Sequence, residues 1–380
     1  MGRVLTNLQQ RLATNSQNVE TLYQLARVHS MAYATNLTFV PITKRDGEPM
    51  FEHPGSDIGV PRKISPRPSA QEQAEASRHL TNAIAYYQRA AKLALKDPAT
   101  PHRWLVVPIH LGLAWCVEQQ GRREEAIEAY RAALQYAWRQ EVEGEFRLQE
   151  RARLSWDQLR TGSNPFQKPQ KGYIGPGVCY SDEIIGYLLK LLDPKKDAKE
   201  IAQLEADRKE LRSMGRAVTP LLVPMKSNLC LEELIDPKAG VAFDLDGSGE
   251  RRSWGWTTTN AAWLVFDHDR TGRITSGLQM FGNVTFWIFW RDGYDALASL
   301  DDNDDGELSG VELRGLSLWC DRNCNGISEA GEVVPVTDLG IARIACHGQQ
   351  HSTGIPFNEH GVVFRDGTTR ATYDWIVSSH

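Results

Sequence analysis

Apolar residues recur at helical spacing through the first third of the chain, and the rhythm then changes. From Asn18 to Ala34, Leu22, Leu25, Ala26 and His29 fall three and four apart, which predicts an amphipathic helix. Six prolines between residues 35 and 77 (Pro41, Pro49, Pro54, Pro61, Pro66 and Pro68) exclude continuous helix there and predict an inserted excursion. Helical spacing resumes at Ala70 with Ala83, Tyr86, Tyr87, Ala90 and Leu93, and stops at Asp97-Pro98. Two more helices follow, from about Trp104 to Gln120 and from about Arg123 to Trp138, with Gly121 between them.

Beyond Glu141 the pattern weakens. Glu141 to Leu159 reads as a charged helix, and Thr161 to Gly177 as a Gly/Pro/Lys linker. Ser181 is placed to cap a helix over Asp182 to Leu192. Lys195 to Met214 is so charged that a solvated spacer helix is expected. Val218 to Met225, interrupted by prolines, suits an edge strand. Near the end, Ile341 to Cys346, Gly361 to Phe364 and Ala371 to Val377 read as strands, with a hairpin at Asp366-Gly367. The expected divisions are 1–160 helical, with an insertion at about 35–77, then 161–235 linker and spacer, then 236–380 as a separate domain.

Composition adds little but excludes something. With 380 residues, 41% hydrophobic and 11 Trp, the chain can bury more than one core. A formal net charge of −5 gives no reason to expect nucleic acid as a partner. No apolar run reaches the ~20 residues of a membrane-spanning helix. The first twenty residues lack the apolar core of an export signal, so an extracytoplasmic location would require a processed or truncated N-terminus. Cys320 and Cys324 either close a small disulfide or stay free thiols.

The chemistry concentrates between residues 301 and 332, where two dozens match the oxygen-ligand spacing of a calcium loop. Ca²⁺ takes 6–8 oxygens, so ligands must converge from alternate loop positions, a sixth-place glycine must turn the chain, and a twelfth-place glutamate must close the shell. In the first dozen these roles fall to Asp301, Asn303, Asp305, the Glu307 carbonyl and Glu312, with Gly306 sixth. In the second they fall to Asp321, Asn323, Asn325, the Ile327 carbonyl and Glu332, with Gly326 sixth. The second offers fewer carboxylates and predicts lower affinity. Its eighth residue, Ser328, replaces the aliphatic residue that Leu308 supplies in the first, which puts a bridge between the two in question. The Leu313 to Cys320 segment is expected to be a short helix, with Leu313, Leu316 and Trp319 facing inward.

Two further acidic turns precede this pair. Asp244, Asp246 and Ser248 lead to Gly249, and Asp267, Asp269 and Thr271 lead to Gly272, but neither turn has a closing glutamate. Either they hold metal weakly or their carboxylates cap backbone amides. Between and after them, Trp254, Trp256, Trp263, Phe266, Phe281, Phe286, Trp287, Phe289 and Trp290 predict an aromatic core, with a sugar platform as the alternative. Cys346, His347, His351 and His360 raise a zinc alternative, in a loop-rich setting that disfavours it.

Two resemblances follow from these residues. Leu113, Ala114, Gly121, Ala126, Tyr130 and Ala133 resemble a tetratricopeptide repeat. The run from Val241-Ala-Phe-Asp-Leu-Asp-Gly, through Met280-Phe-Gly and Gly293-Tyr-Asp-Ala-Leu, to Leu339-Gly-Ile resembles an EF-hand-like calcium-binding module of bacteria that accompanies haemolysin-type calcium-repeat proteins. Together they imply a multidomain fold: an all-α tetratricopeptide-like array followed by an α+β, EF-hand-like domain with short strands. They imply calcium as cofactor and no catalytic residue. The expected function is that of a calcium-binding, protein-interaction protein without catalysis, in which calcium is structural, with a protein partner or self-association through the helices. The alternative is a carbohydrate-active hydrolase or sugar-binding protein using the aromatic region 254–290.

Overall fold

The computed structural model describes residues 2–35, 69–94, 103–141, 173–176, 179–213, 215–351 and 355–379. The insertion expected at about 35–77 falls outside them between 36 and 68, while its last residues, from Ala70, are helical; the charged helix expected from Glu141 to Leu159 lies outside them beyond Glu141, and so does the linker expected from Thr161 to Gly177 except where Tyr173–Pro176 forms a strand. The chain divides into two compact units, whose described parts run to residue 213 and from residue 215.

The first unit is helical. Its elements are α1 (Gly2–Thr14), α2 (Val19–Thr35), α3 (Ala70–Ala94), α4 (Val106–Gln119), α5 (Arg123–Glu141), a short strand β1 (Tyr173–Pro176), α6 (Tyr180–Leu191) and α7 (Ala198–Ser213). Its core is built where small residues admit large ones. A Cβ at Gly112 would stand 2.2 Å from the Tyr87 ring, so α3 and α4 approach closely at Gly112. Tyr130 of α5 stacks on Tyr187 of α6, with centroids 5.1 Å apart. Two expectations need correcting. Ser181 does not cap α6: the helix begins at Tyr180, and the Glu141 carboxylate accepts the N–H groups of Tyr180 and Ser181. Nor is α7 a solvated spacer, because Arg208 and Arg212 both reach the buried Asp182 carboxylate of α6, at 2.8 and 3.0 Å.

The second unit corrects the expected fold class. It is not an EF-hand-like helical domain with short strands, but is dominated by an antiparallel sheet. In chain order its strands are β2 (Gly215–Val218), β3 (Leu221–Pro224), β4 (Ile235–Phe243), β5 (Arg252–Thr257), β6 (Ala261–Phe266), β7 (Glu307–Ser309), β8 (Leu316–Trp319), β9 (Val333–Pro335), β10 (Ile341–Ala345), β11 (Gln349–Gln350), β12 (Pro356–Phe364), β13 (Thr369–Asp374) and β14 (Val377–Ser378). The main sheet runs β7-β10-β12-β13-β3-β6-β8-β9, with β11 added beside β12. β4 and β5 form a separate ribbon, and β14 pairs with β2. The helices here are short: α8 (Leu231–Leu234) and α9 (Gly293–Ala298).

The segment expected to be a helix after the first calcium dozen is β8. Leu316, Ser317, Leu318 and Trp319 pair with β6 on one side, and all four are buried. A strand buried throughout loses the polar–apolar alternation that would mark it. Likewise β3 is no edge strand, because it lies between β13 and β6 with Pro220 in the turn before it. The Asp366-Gly367 turn does join β12 to β13, with Gly367 at φ +83°.

The aromatic stretch forms this unit's core. The ring of Trp256 lies 5.3–5.7 Å, centroid to centroid, from those of Phe243, Trp263 and Trp319, each contact worth about 0.5–1.5 kcal/mol beyond area burial. Trp254, Trp256 and Trp263 are fully buried, so none offers a ring face for sugar. Among the described residues no helix is long and apolar enough to cross a membrane.

Candidate functional site

Four acidic turns of the second unit share one backbone. Their fourth residues are Gly247, Arg270, Asp304 and Cys324, and all have positive φ, between +52° and +71°. Their sixth residues, Gly249, Gly272, Gly306 and Gly326, lie between φ +68° and +86°. Glycine adopts this region freely, whereas Arg270, Asp304 and Cys324 do so against a steric cost that the turn must offset.

Hydrogen bonds offset that cost. In the 301–312 turn, Asp301 accepts the N–H groups of Asp305 (3.3 Å) and Gly306 (2.9 Å). Asp305 accepts that of Glu307, and Glu312 accepts those of Asp302 and Ser309. The 321–332 turn repeats these five bonds at the same places. Asp321 accepts the N–H groups of Asn325 (3.1 Å) and Gly326 (2.7 Å), Asn325 accepts that of Ile327, and Glu332 accepts those of Arg322 and Glu329. Asn303 faces Asp305, Asn323 faces Glu329, and all four side chains are exposed.

The 267 turn keeps the first half of this pattern. Asp267 accepts from Thr271 and Gly272, and Thr271 from Arg273, while Asp269 is exposed. It lacks the glutamate, yet Gln279 at its thirteenth place accepts the N–H of Thr275 at 2.9 Å, the bond that Glu312 and Glu332 make to their own ninth residues. The sequence offers Gln279, one place past the glutamate position, only as a neutral oxygen for a metal, and not as the acceptor of this N–H. The 244 turn keeps least: Asp244 accepts from Gly249, Asp246 from Ser248, and Ser248 from Glu250. Burial, with the Asp246 carboxylate beside it, pushes the Asp244 carboxyl up to about 7. Arg252 stands 3.6 Å from Asp246.

The two complete turns do not bridge to each other. Leu308 sits in β7 opposite Ile344 of β10. Ser328 instead accepts the N–H of Ile274 at 2.8 Å through its hydroxyl, so the 321 turn joins the 267 turn at the eighth place of each. Gly326 packs against Val241 and Ala242 of β4, and Gly247 against Leu278. The turns at 244, 267 and 321 therefore form one group, and the 301 turn stands apart beside β10.

Asp301, Glu312, Asp321 and Glu332 are all at most 4% exposed. Among the described residues, no Lys or Arg pairs with Asp301, Asp321 or Glu332. Buried carboxylates that accept backbone N–H groups are a donor set suited to a hard cation. The remaining donors are the Asp305 carboxylate and amide and carbonyl oxygens, which also suit calcium and not a softer metal. Side-chain convergence is incomplete, however: among the described residues, no three Asp, Glu, His or Cys side chains are gathered closely enough to hold an ion by themselves. Fit to calcium therefore rests on the donor chemistry and the shared turn scaffold.

The remaining candidates disperse. All six cysteines are free thiols, and the Cys320 and Cys324 sulfurs lie against the Thr259 and Thr257 carbonyls. The residues of the zinc alternative do not gather either. His347 approaches the Gly306 carbonyl, His351 packs on Phe357 and Tyr373, and His360 meets Thr369.

Residues 232–378 match the SPM domain family. The chain is also similar to the iron-regulated protein FrpA of Neisseria meningitidis serogroup C, at 28% identity over 219 residues. That alignment covers 51% of this chain and 19% of the relative, so the chain spans only a small part of that protein's length. These matches correct both resemblances drawn from the sequence. Neither an EF-hand family nor a tetratricopeptide-repeat family matches, and the region assigned to the former matches the SPM domain family instead. The spacing of ligands and small residues is local, and different folds can carry it.

Proposed function

We propose that the second unit is a calcium-binding module in which the ions stabilise the fold, and that it carries no catalytic step. The observation supporting this is the repetition of five backbone-to-carboxylate or backbone-to-amide hydrogen bonds between 301–312 and 321–332, which directs buried carboxylates into two turns where, among the described residues, no Lys or Arg pairs with Asp301, Asp321 or Glu332. Calcium at each turn would be held by Asp301, Asn303, Asp305, the Glu307 carbonyl and Glu312, and by Asp321, Asn323, Asn325, the Ile327 carbonyl and Glu332. A bound ion supplies the positive charge that the buried carboxylates lack. The shared backbone favours a structural role over a switching one, because each turn is already closed by its own N–H groups. The 267 and 244 turns stand as weaker candidates, in that order.

The helical unit is proposed as the interaction half, engaging a protein partner or a second copy. Calorimetric titration of the full chain with calcium, paired with thermal melting in calcium and in chelator, tests the main reading. Two binding events and a raised melting temperature in calcium are expected. A melting temperature indifferent to both solutions rejects the reading.

A further inference from the structure

A cavity of about 260 Å³ opens beside the 267 turn, between that turn, the segment leaving the 301 turn, and β9. Its rim carries Arg270 and Arg314, both exposed. Among the described residues no carboxylate pairs with either guanidinium. Its walls include the aliphatic side chains of Val311, Leu313 and Pro335, and Val311 is 77% exposed, the most exposed large apolar side chain among the described residues. Thr337 lines the same space, and its carbonyl is held by Arg365. One acid, Asp267, also lines it, but its two oxygens are engaged by Thr271 and Gly272 of its own turn.

We propose that this cavity binds an aliphatic carboxylate, with the acid on Arg270 and Arg314 and the apolar group on Val311 and Leu313. Guanidinium groups match carboxylates through paired N–H donors, and two unpaired ones on one rim set the charge of the ligand. The aliphatic wall sets its other end and disfavours a bare phosphate. The volume lies just below the range of about 300–1,000 Å³ usual for small-molecule sites, so the ligand has the size of one or two amino-acid residues. A free small acid and the carboxyl end of a peptide share this chemistry. The proposal does not depend on metal in either complete turn.

The test uses the full chain in calcium-free buffer, with saturation-transfer NMR to N-acetyl-leucine and to its amide, and phosphorus-31 line broadening for inorganic phosphate. N-acetyl-leucine is expected to bind at millimolar concentration and the amide not to bind. Arg270→Ala and Arg314→Ala should each weaken binding about tenfold, as for loss of a charge-assisted hydrogen bond. Val311→Asp, at an exposed position, should weaken it comparably while leaving both arginines in place. Unchanged melting temperatures would establish that the variants fold. A leucine-terminated peptide binding more tightly than N-acetyl-leucine would identify a chain end as the source, and equal binding would identify a free acid. Equal binding of acid and amide, unchanged affinity in both arginine variants, or binding of phosphate alone would overturn the proposal.

Discussion

The turns at 301–312 and 321–332 have one hydrogen-bond network and two surroundings. Around the first, Asn303 and Asp305 are exposed, Leu308 stands opposite Ile344 of β10, and the Gly306 carbonyl accepts the N–H of Cys346 at 2.8 Å. The second is built into the unit. Asp321 is fully buried, the indole N–H of Trp256 donates to it at 2.8 Å, Gly326 abuts β4, and Ser328 ties it to the 267 turn. The same local chemistry therefore serves two ends. One turn lies beside β10, and the other joins the aromatic core to its neighbours.

That contrast predicts unequal costs. Asp321→Ala strips three donors of their acceptor in a buried site and should destabilise the second unit by about 3 kcal/mol, while Asp301→Ala should cost about 1–2 kcal/mol. Urea unfolding followed by tryptophan fluorescence, in chelator, measures both, and equal costs would break the comparison. Calcium removal comes next. Calcium at a hundred times the dissociation constant should stabilise by about 2.7 kcal/mol per site, so chelation should lower the melting temperature of the second unit and leave the helical unit unchanged. Trp256→Phe keeps most of the ring packing but leaves Asp321 one donor short, and should cost about 1 kcal/mol. In chelator it should narrow the gap between Asp321→Ala and Asp301→Ala, which unfolding of the two double variants would read.

The smallest effect concerns the 244 turn. The folded-state pKa of Asp244 is raised to about 7. Its neutral form thus favours the fold, and that contribution is fully present below the unfolded value near 4 and lost as pH rises through about 7. In chelator, stability should fall by about 1 kcal/mol over that window, since solvent screens the half-buried turn, and Asp244→Asn should flatten the slope. If the turn holds calcium, adding the ion should flatten it too.

The turns were legible in the sequence because ligand spacing and the sixth-place glycine are local. The fourth-place conformation was not, because Gly247, Arg270, Asp304 and Cys324 share a backbone and no side-chain chemistry. Pairing was hidden for another reason. Ser328 meets Ile274 across 54 residues, and no periodicity reports a hydroxyl accepting a distant N–H. The sheet was misread at Leu316–Trp319, where two leucines and a tryptophan fit an inward helix face as well as a buried strand. The charged face of α7 concealed Arg208 and Arg212, whose partner Asp182 lies on another helix. The helices themselves followed their spacing closely, as α2, α3, α4 and α5 attest.

The most direct measurement is a calcium titration of the wild-type chain beside Glu312→Gln and Glu332→Gln, read by calorimetry. Two sites in the wild type, with one lost in each variant and the weaker one missing from Glu332→Gln, is the predicted result. No heat of calcium binding in the wild type, or an unchanged stoichiometry in both variants, would contradict it.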